Sequence, residues 1–289
     1  MVRVLRSTAQ SSLDSLSATL FPADCRVCGL SLGSFTLLPV CASCWDHLPA
    51  QSGPLCACCG EALATDPLLA KETLCRPCRV AAPPFHKAVA WGVCRDRLRT
   101  LLHLLKYDGM HLLSRRLSAL LAEPILSIPD LPGELTAVPV PLFGAKRRQR
   151  GFSQAEHLAR GVIAVLRLRR PELRVSLRTG VLVRQRATQS QASLTPHQRR
   201  INVRGAFSVP WPETIRDRHV LLIDDIYTTG ATARACAQAL RGAGAASVWV
   251  ATVARAQKEE WPRQAVAADR PEIPLQDDVA FRDQGGTAS

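Results

Sequence analysis

Residues 220–234, Val-Leu-Leu-Ile-Asp-Asp-Ile-Tyr-Thr-Thr-Gly-Ala-Thr-Ala-Arg, constrain this chain more than any other stretch. Val220–Ile223 is a short apolar run, the pattern of a strand buried on both faces. It ends in two adjacent carboxylates, Asp224 and Asp225, and a Thr-Thr-Gly turn leads into an Ala-rich helix (Ala231–Leu240). A small, hydroxyl-rich turn at a helix N-terminus leaves backbone N–H groups unpaired at the positive end of the helix dipole, which makes a phosphate cradle. Gly230 lets the backbone approach the phosphate without hindrance from a side chain. Thr228, Thr229 and Thr232 add hydroxyl donors around Ala231. The paired acids suit a sugar diol or a Mg²⁺-bridged substrate. Together these groups describe a site for a phosphorylated ribose. Two carboxylates side by side repel each other, so a purely structural strand, turn and helix is the weaker reading.

This run resembles the phosphoribosyl pyrophosphate signature of type I phosphoribosyltransferases: an apolar strand, Asp-Asp, two further residues, then Thr-Thr-Gly-Ala-Thr. A lone Thr-Gly-x-Thr says little. Strand, acids, turn and helix in that order say a great deal.

Eight of the 11 cysteines form four Cys-x-x-Cys pairs: Cys25/Cys28, Cys41/Cys44, Cys56/Cys59 and Cys75/Cys78. Successive pairs are separated by 12, 11 and 15 residues, the spacing of zinc ribbons, in which two knuckles close one tetrahedral ion. Cys25-Arg-Val-Cys-Gly29 and Cys56-Ala-Cys-Cys-Gly60 repeat the same knuckle, and each precedes a pair without glycine. Two sequential Cys₄ zinc sites are the simplest assignment. Spacing alone leaves interleaved pairing or a single occupied site open, with Cys58 a rival ligand. Cys94 and Cys236 read as small core residues and His47 as a surface residue.

The 289 residues suffice for about two domains. No apolar run reaches the ~18 residues of a membrane span, and the N-terminal stretch lacks the apolar centre of a secretory signal, so a cytoplasmic protein is expected. The net charge of +13 is concentrated: residues 141–204 hold fifteen Lys/Arg against Glu156 and Glu172. Such a surplus attracts polyanions, whether pyrophosphate, nucleotide or nucleic acid.

Residues 1–24 read as a lead-in with Leu5, Leu13, Leu16 and Leu20 on one face of a short helix, and 25–80 as the zinc module. Ala81-Ala-Pro-Pro84 is a linker. Residues 85–256 alternate strand and helix patterns: strands at Ala88–Val93, Thr136–Val140, Gly180–Val183, Ala206–Val209, His219–Ile223 and Ser247–Val253, with helices at Asp96–Tyr107, His111–Leu121 and Ser153–Leu168. That alternation predicts an α/β domain with a mainly parallel sheet covered on both sides. Its ligands would sit beyond the carboxyl ends of the strands, where the Asp224 turn and the cationic loop 144–151 both emerge. Arg184–Asn202 is polar and aperiodic, the pattern of a lid. Residues 257–289 read as a disordered tail.

Four cysteine knuckles ahead of a phosphoribosyltransferase signature resemble the ComF/GntX family, over residues 20–255. Three segments extend the likeness: Leu104-Leu-Lys-Tyr-Asp-Gly109, Arg147-Arg-Gln-Arg-Gly-Phe-Ser-Gln-Ala155, and the segment with Arg186, Gln191, Leu194, Asn202 and Phe207. Ser153 stands where the family pattern expects Asn. The resemblance implies the type I phosphoribosyltransferase fold and, in some members, a link to DNA uptake in natural competence; it supplies no acceptor. On this reading the Thr228–Thr232 turn holds the 5-phosphate, and Asp224 and Asp225 take the ribose hydroxyls. Mg²⁺ bridges the pyrophosphate, Lys146 and Arg147 face it, and Arg186 and Gln191 close over it. A binding protein of another kind is the alternative, gripping single-stranded DNA with its zinc ribbons and the basic 141–204 segment. Oligomeric state has no sequence signal here.

Overall fold

The computed structural model describes residues 23–33, 36–63, 73–107, 110–143, 152–186, 198 and 202–257, all within one compact unit. The lead-in helix, the cationic loop 144–151 with Lys146 and Arg147, most of the Arg184–Asn202 segment with Gln191, and the tail from residue 258 lie outside the described residues.

The cysteine-rich part is built from short pieces: an antiparallel pair β1 (Ala23–Asp24) and β2 (Ser31–Leu32), and two single-turn helices, α1 (Ala42–Asp46) and α2 (Arg76–Val80). Each helix starts directly after the first cysteine of a knuckle, Cys41 or Cys75. Thiols rather than a hydrophobic stripe organise these turns.

Then follow β3 (Lys87–Val93), α3 (Asp96–Tyr107), α4 (Leu113–Leu126), β4 (Glu134–Pro139), α5 (Gln154–Arg169), β5 (Arg174–Leu177), β6 (Val183–Arg184), β7 (Phe207–Ser208), β8 (His219–Tyr227), α6 (Ala231–Gly242) and β9 (Ser247–Arg255). Five strands make one parallel sheet in the order β3-β9-β8-β4-β5; β6 and β7 form a separate antiparallel pair. The central strands β8 and β9 are apolar over most of their length because both faces are covered. Leu221 and Ile223 of β8 pack with α3, α4 and α5, whereas Val220 and Leu222 pack with α6 on the opposite side. Both cysteine groups belong to these cores, Cys25 and Cys44 to the first and Cys56, Cys59, Cys75 and Cys78 to the second.

Two differences from the sequence reading bear on the site. First, β8 does not end at Ile223: it pairs with β9 through Asp224 and on to Tyr227 opposite Arg255, so both carboxylates belong to the strand. Second, β5 is a strand that the apolar pattern did not show, because at the sheet edge it buries only Val175.

Candidate functional site

A cavity of about 570 Å³ opens at the carboxyl ends of β4, β8 and β9. It is lined by Asp224, Asp225, Thr228, Gly230 and Thr232 from β8 and the turn, by Pro141 and Leu142 after β4, and by Lys106 and Tyr107 from α3. This is where ligands sit in open parallel sheets.

Asp225 is 8% exposed, and its carboxylate is met by Lys106 Nζ at 2.8 Å. Burial acts to lower the Lys106 pKa, but the charge and hydrogen bond of Asp225, with Asp224 behind it, outweigh burial and raise it. Asp224 is half-buried and accepts the Asp225 N–H at 2.9 Å. Burial first, and the neighbouring Asp225 charge second, push its pKa up to about 7. Both carboxylates line the cavity; Asp225 is paired directly with Lys106, while Lys106 and Arg184 act on Asp224 without overcoming its burial and the Asp225 charge.

Gly230 caps α6 with φ of 75°, the left-handed conformation that glycine tolerates. Thr229 Oγ1 accepts the Ala231 N–H at 3.4 Å, so Thr229 and Ala231 stabilise the turn from behind while Thr228 and Thr232 line the cavity. The first N–H groups of a helix have no partner within it, and α6 begins beside the cavity, just after the carboxyl end of β8. Tyr227 is buried beneath the turn, edge-on to Phe85 at 6.4 Å between centroids, with the Arg255 guanidinium 4.2 Å from its ring centre. It is a packing group under the cradle.

Sequence reasoning missed four residues that the fold brings to this region. Lys106 lay in a segment singled out by resemblance, but its partner is 119 positions away, beyond the reach of any local pattern. Arg184 lines the cavity from β6; burial pushes its pKa down although Asp224 pulls it up. Gln154 is buried, lines the cavity and donates to the Lys106 carbonyl at 3.5 Å. Cys94, expected in the core, is half-buried on the cavity wall. Arg186 does not line the cavity: it is exposed and donates to the Arg204 carbonyl at 2.8 Å. Ser153 caps α5, accepting the Glu156 N–H at 3.4 Å, so the family's Asn is not needed for the cap.

The eight paired cysteines come together in two sequential groups, Cys25/Cys28/Cys41/Cys44 and Cys56/Cys59/Cys75/Cys78, with all sulfurs of a group within 4.8 Å of one another. Cys58 belongs to neither. A tetrahedral zinc ion with bonds of about 2.3 Å needs sulfurs roughly 3.8 Å apart. Cys25–Cys44, Cys28–Cys41 and Cys59–Cys75 are 3.8, 3.7 and 3.6 Å apart. The Cys41 and Cys75 N–H groups donate to Cys25 and Cys56 Sγ, each at 3.3 Å. Burial raises the Cys25 pKa, but N–H donors from Cys41, Cys28 and Val27 outweigh it and bring it down to about 6. The donor set fits zinc.

Comparison with known proteins agrees with this geometry. Residues 16–79 match the double zinc ribbon domain, and residues 148–284 match the phosphoribosyl transferase domain. "DNA utilization protein YhgH" of Escherichia coli strain K12 is 29% identical over 237 residues, covering 74% of this chain and 97% of that protein. Its Salmonella typhi counterpart is 29% identical over 234 residues, covering 79% and 95%. "Competence protein F" of Haemophilus influenzae is 27% identical over 226 residues, covering 75% and 90%.

Proposed function

We propose, because this chain belongs to the ComF family and joins a double zinc ribbon to a phosphoribosyltransferase domain, that it binds phosphoribosyl pyrophosphate with Mg²⁺ and transfers the phosphoribosyl group. The observation that carries this reading is the convergence of Asp224, Asp225, Thr228, Gly230 and Thr232 on one cavity.

The turn from Thr228 to Thr232 holds the 5-phosphate with hydroxyls and helix N–H groups. Asp224 and Asp225 accept hydrogen bonds from the ribose hydroxyls. Their negative charge stabilises the positive charge that develops on the ring as the C1–pyrophosphate bond lengthens. Lys106 holds Asp225 in place, so the group needs no reorganisation during reaction. Arg184, with Lys146 and Arg147 of the cationic loop, is suited to the departing pyrophosphate. Asp224 fits a hydrated Mg²⁺ carried by the substrate: it faces the cavity, and burial together with the Asp225 charge holds its pKa up at about 7 against Lys106 and Arg184, a cost that a bound cation would relieve. When bound, Mg²⁺ neutralises pyrophosphate oxygens and makes them a better leaving group.

Zinc in the two cysteine groups has a different task. It holds together a segment built from two-residue strands and single-turn helices and contributes folding energy directly. The relatives' names concern DNA utilisation and competence, and we place this chain in a DNA-uptake context on their account.

Calorimetry with phosphoribosyl pyrophosphate and Mg²⁺, on the zinc-loaded chain and an Asp224→Asn/Asp225→Asn variant, tests the proposal. Binding by the first and at least tenfold weaker binding by the second is expected. No binding by the wild type, with salt-dependent single-stranded-DNA binding that survives the double substitution, would replace the transferase with a DNA-binding adaptor.

A further inference from the structure

Arg255, the last residue of β9, is an arginine only 4% exposed, and it lies against the second cysteine group. Its guanidinium donates to the Cys59 carbonyl at 2.5 Å and to Cys59 Sγ at 3.6 Å, and it pairs with the Glu61 carboxylate. The same guanidinium covers Tyr227, its neighbour across the β8–β9 ladder, at 4.2 Å from the ring centre. Tyr227 in turn touches the cradle: a Cβ at Gly230 would lie 2.2 Å from Tyr227 Oη. A second strut runs alongside, from Arg234 on α6 to the Ala81 carbonyl just past α2, at 3.2 Å. From metal-ligating sulfur to the turn there is an unbroken series: Cys59, Arg255, Tyr227, Gly230.

The two terminal nitrogens of this buried guanidinium are met by Cys59 and Glu61, while Nε has no partner among the described residues. The planar fork fixes the angle at which those two must be met. With zinc bound, Cys59 offers a charged sulfur at a fixed position and a carbonyl held by the knuckle. Without the metal the knuckle loses its anchor, and the fork must re-aim. Tyr227, packed between Arg255 and Phe85 and already filling the place where a Gly230 Cβ would lie, would shift with it against the turn. The first cysteine group is a natural control, since it packs into the other core, with α3, α4 and α5.

We infer that Arg255 is a positioning residue that couples zinc in the Cys56/Cys59/Cys75/Cys78 group to the phosphate-binding turn, so that each site strengthens the other. The inference rests on the reading of the turn as the 5-phosphate cradle. Coupling between sites is reciprocal, so it can be measured from the zinc side, without any acceptor and without turnover.

The test follows zinc transfer from the zinc-loaded full chain to 4-(2-pyridylazo)resorcinol, with and without phosphoribosyl pyrophosphate and Mg²⁺, while calorimetry on the same samples reads binding. We expect one of the two ions to leave about fivefold or more slowly when the ligand is present, the other being unaffected. Protection should persist in Cys25→Ser, which keeps only the second group intact. It should vanish in Arg255→Met and be at best partly restored in Arg255→Lys, which keeps the charge but loses the fork. Ligand that binds the wild type yet protects neither ion, or both equally, overturns the coupling and leaves the cradle standing. Protection in Arg255→Met equal to wild type overturns the role of Arg255. A wild type that binds no ligand overturns cradle and coupling together. Should Arg255→Met fail to fold, the wild-type and Cys25→Ser time courses still decide the coupling, and Arg255→Lys decides the role of Arg255: protection equal to wild type there overturns it.

Discussion

Lys106 Nζ stands 2.8 Å from Asp225 Oδ2 and ties the last turn of α3 to the carboxylate end of β8. Both side chains are mostly buried, so removing one leaves the other charged and poorly solvated. Lys106→Met should cost about 3 kcal/mol of stability in urea unfolding. Lys106→Met/Asp225→Asn should cost clearly less than the sum of the two single changes, because neither charge is then stranded. Additive losses would show that the pair carries no coupling.

Asp224 makes stability depend on pH in a defined direction. Its pKa is raised from the ordinary 3.8 to about 7, so across that interval the folded chain keeps a proton that the unfolded chain releases. Rising pH therefore lowers stability between roughly 4 and 7; the cost is fully present above that window and absent below it. Asp224→Asn removes the cost. The variant should melt above wild type at pH 8, by roughly 2–4 °C for each kcal/mol relieved, and the gap should close toward pH 4. Melting curves with a gap that stays constant from pH 4.5 to 8 would refute this.

Why some of this was legible in the sequence and some was not follows from the range of each interaction. Val220–Ile223 announced a buried parallel strand because it is apolar without a break, and Ser247–Val253 because only Ser247 and Thr252 depart from its apolar run. The four cysteine pairs were legible because a knuckle is local, but spacing leaves open which pairs share a site until the fold brings Cys25/Cys28 to Cys41/Cys44 and Cys56/Cys59 to Cys75/Cys78. The end of β8 was misplaced because two Asp residues look like a turn; pairing with β9 carries them inside the strand. Lys106 and Arg184 could not be assigned to the site, since what aims them at Asp225 and Asp224 is the packing of α3 and β6. Arg255 left one trace, a lone cation directly after the apolar Val253-Ala254.

Gly161 illustrates a second long-range constraint. It lies in α5, where alanine is normally better by about 1 kcal/mol. Here a Cβ would meet Ser118 Oγ at 2.3 Å and Ser118 Cβ at 2.6 Å, on the facing helix α4. Ser118 is fully buried, and its hydroxyl donates to the Leu158 carbonyl at 3.1 Å. Gly161→Ala should therefore destabilise, by about 1–3 kcal/mol in chemical unfolding. Ser118→Gly should relieve the clash and Ser118→Ala should not, since the obstructing Cβ remains. A stabilised Gly161→Ala would mean that the helices can separate at this point.

Gly230 joins stability to ligand binding at one position. Its φ of 75° alone would cost an alanine about 1–2 kcal/mol. The new methyl would also sit 2.2 Å from Tyr227 Oη and 2.5 Å from Cζ, and Tyr227 cannot retreat because Phe85 and Arg255 occupy its other sides. The turn, being exposed to the cavity, should move instead of the ring. Gly230→Ala is thus expected to remain folded but bind phosphoribosyl pyrophosphate at least tenfold more weakly, read by calorimetry beside a melting curve. Tyr227→Phe in the same background removes the nearer of the two contacts and should recover part of the affinity. Full affinity in a folded Gly230→Ala protein would show that the turn does not hold the phosphate.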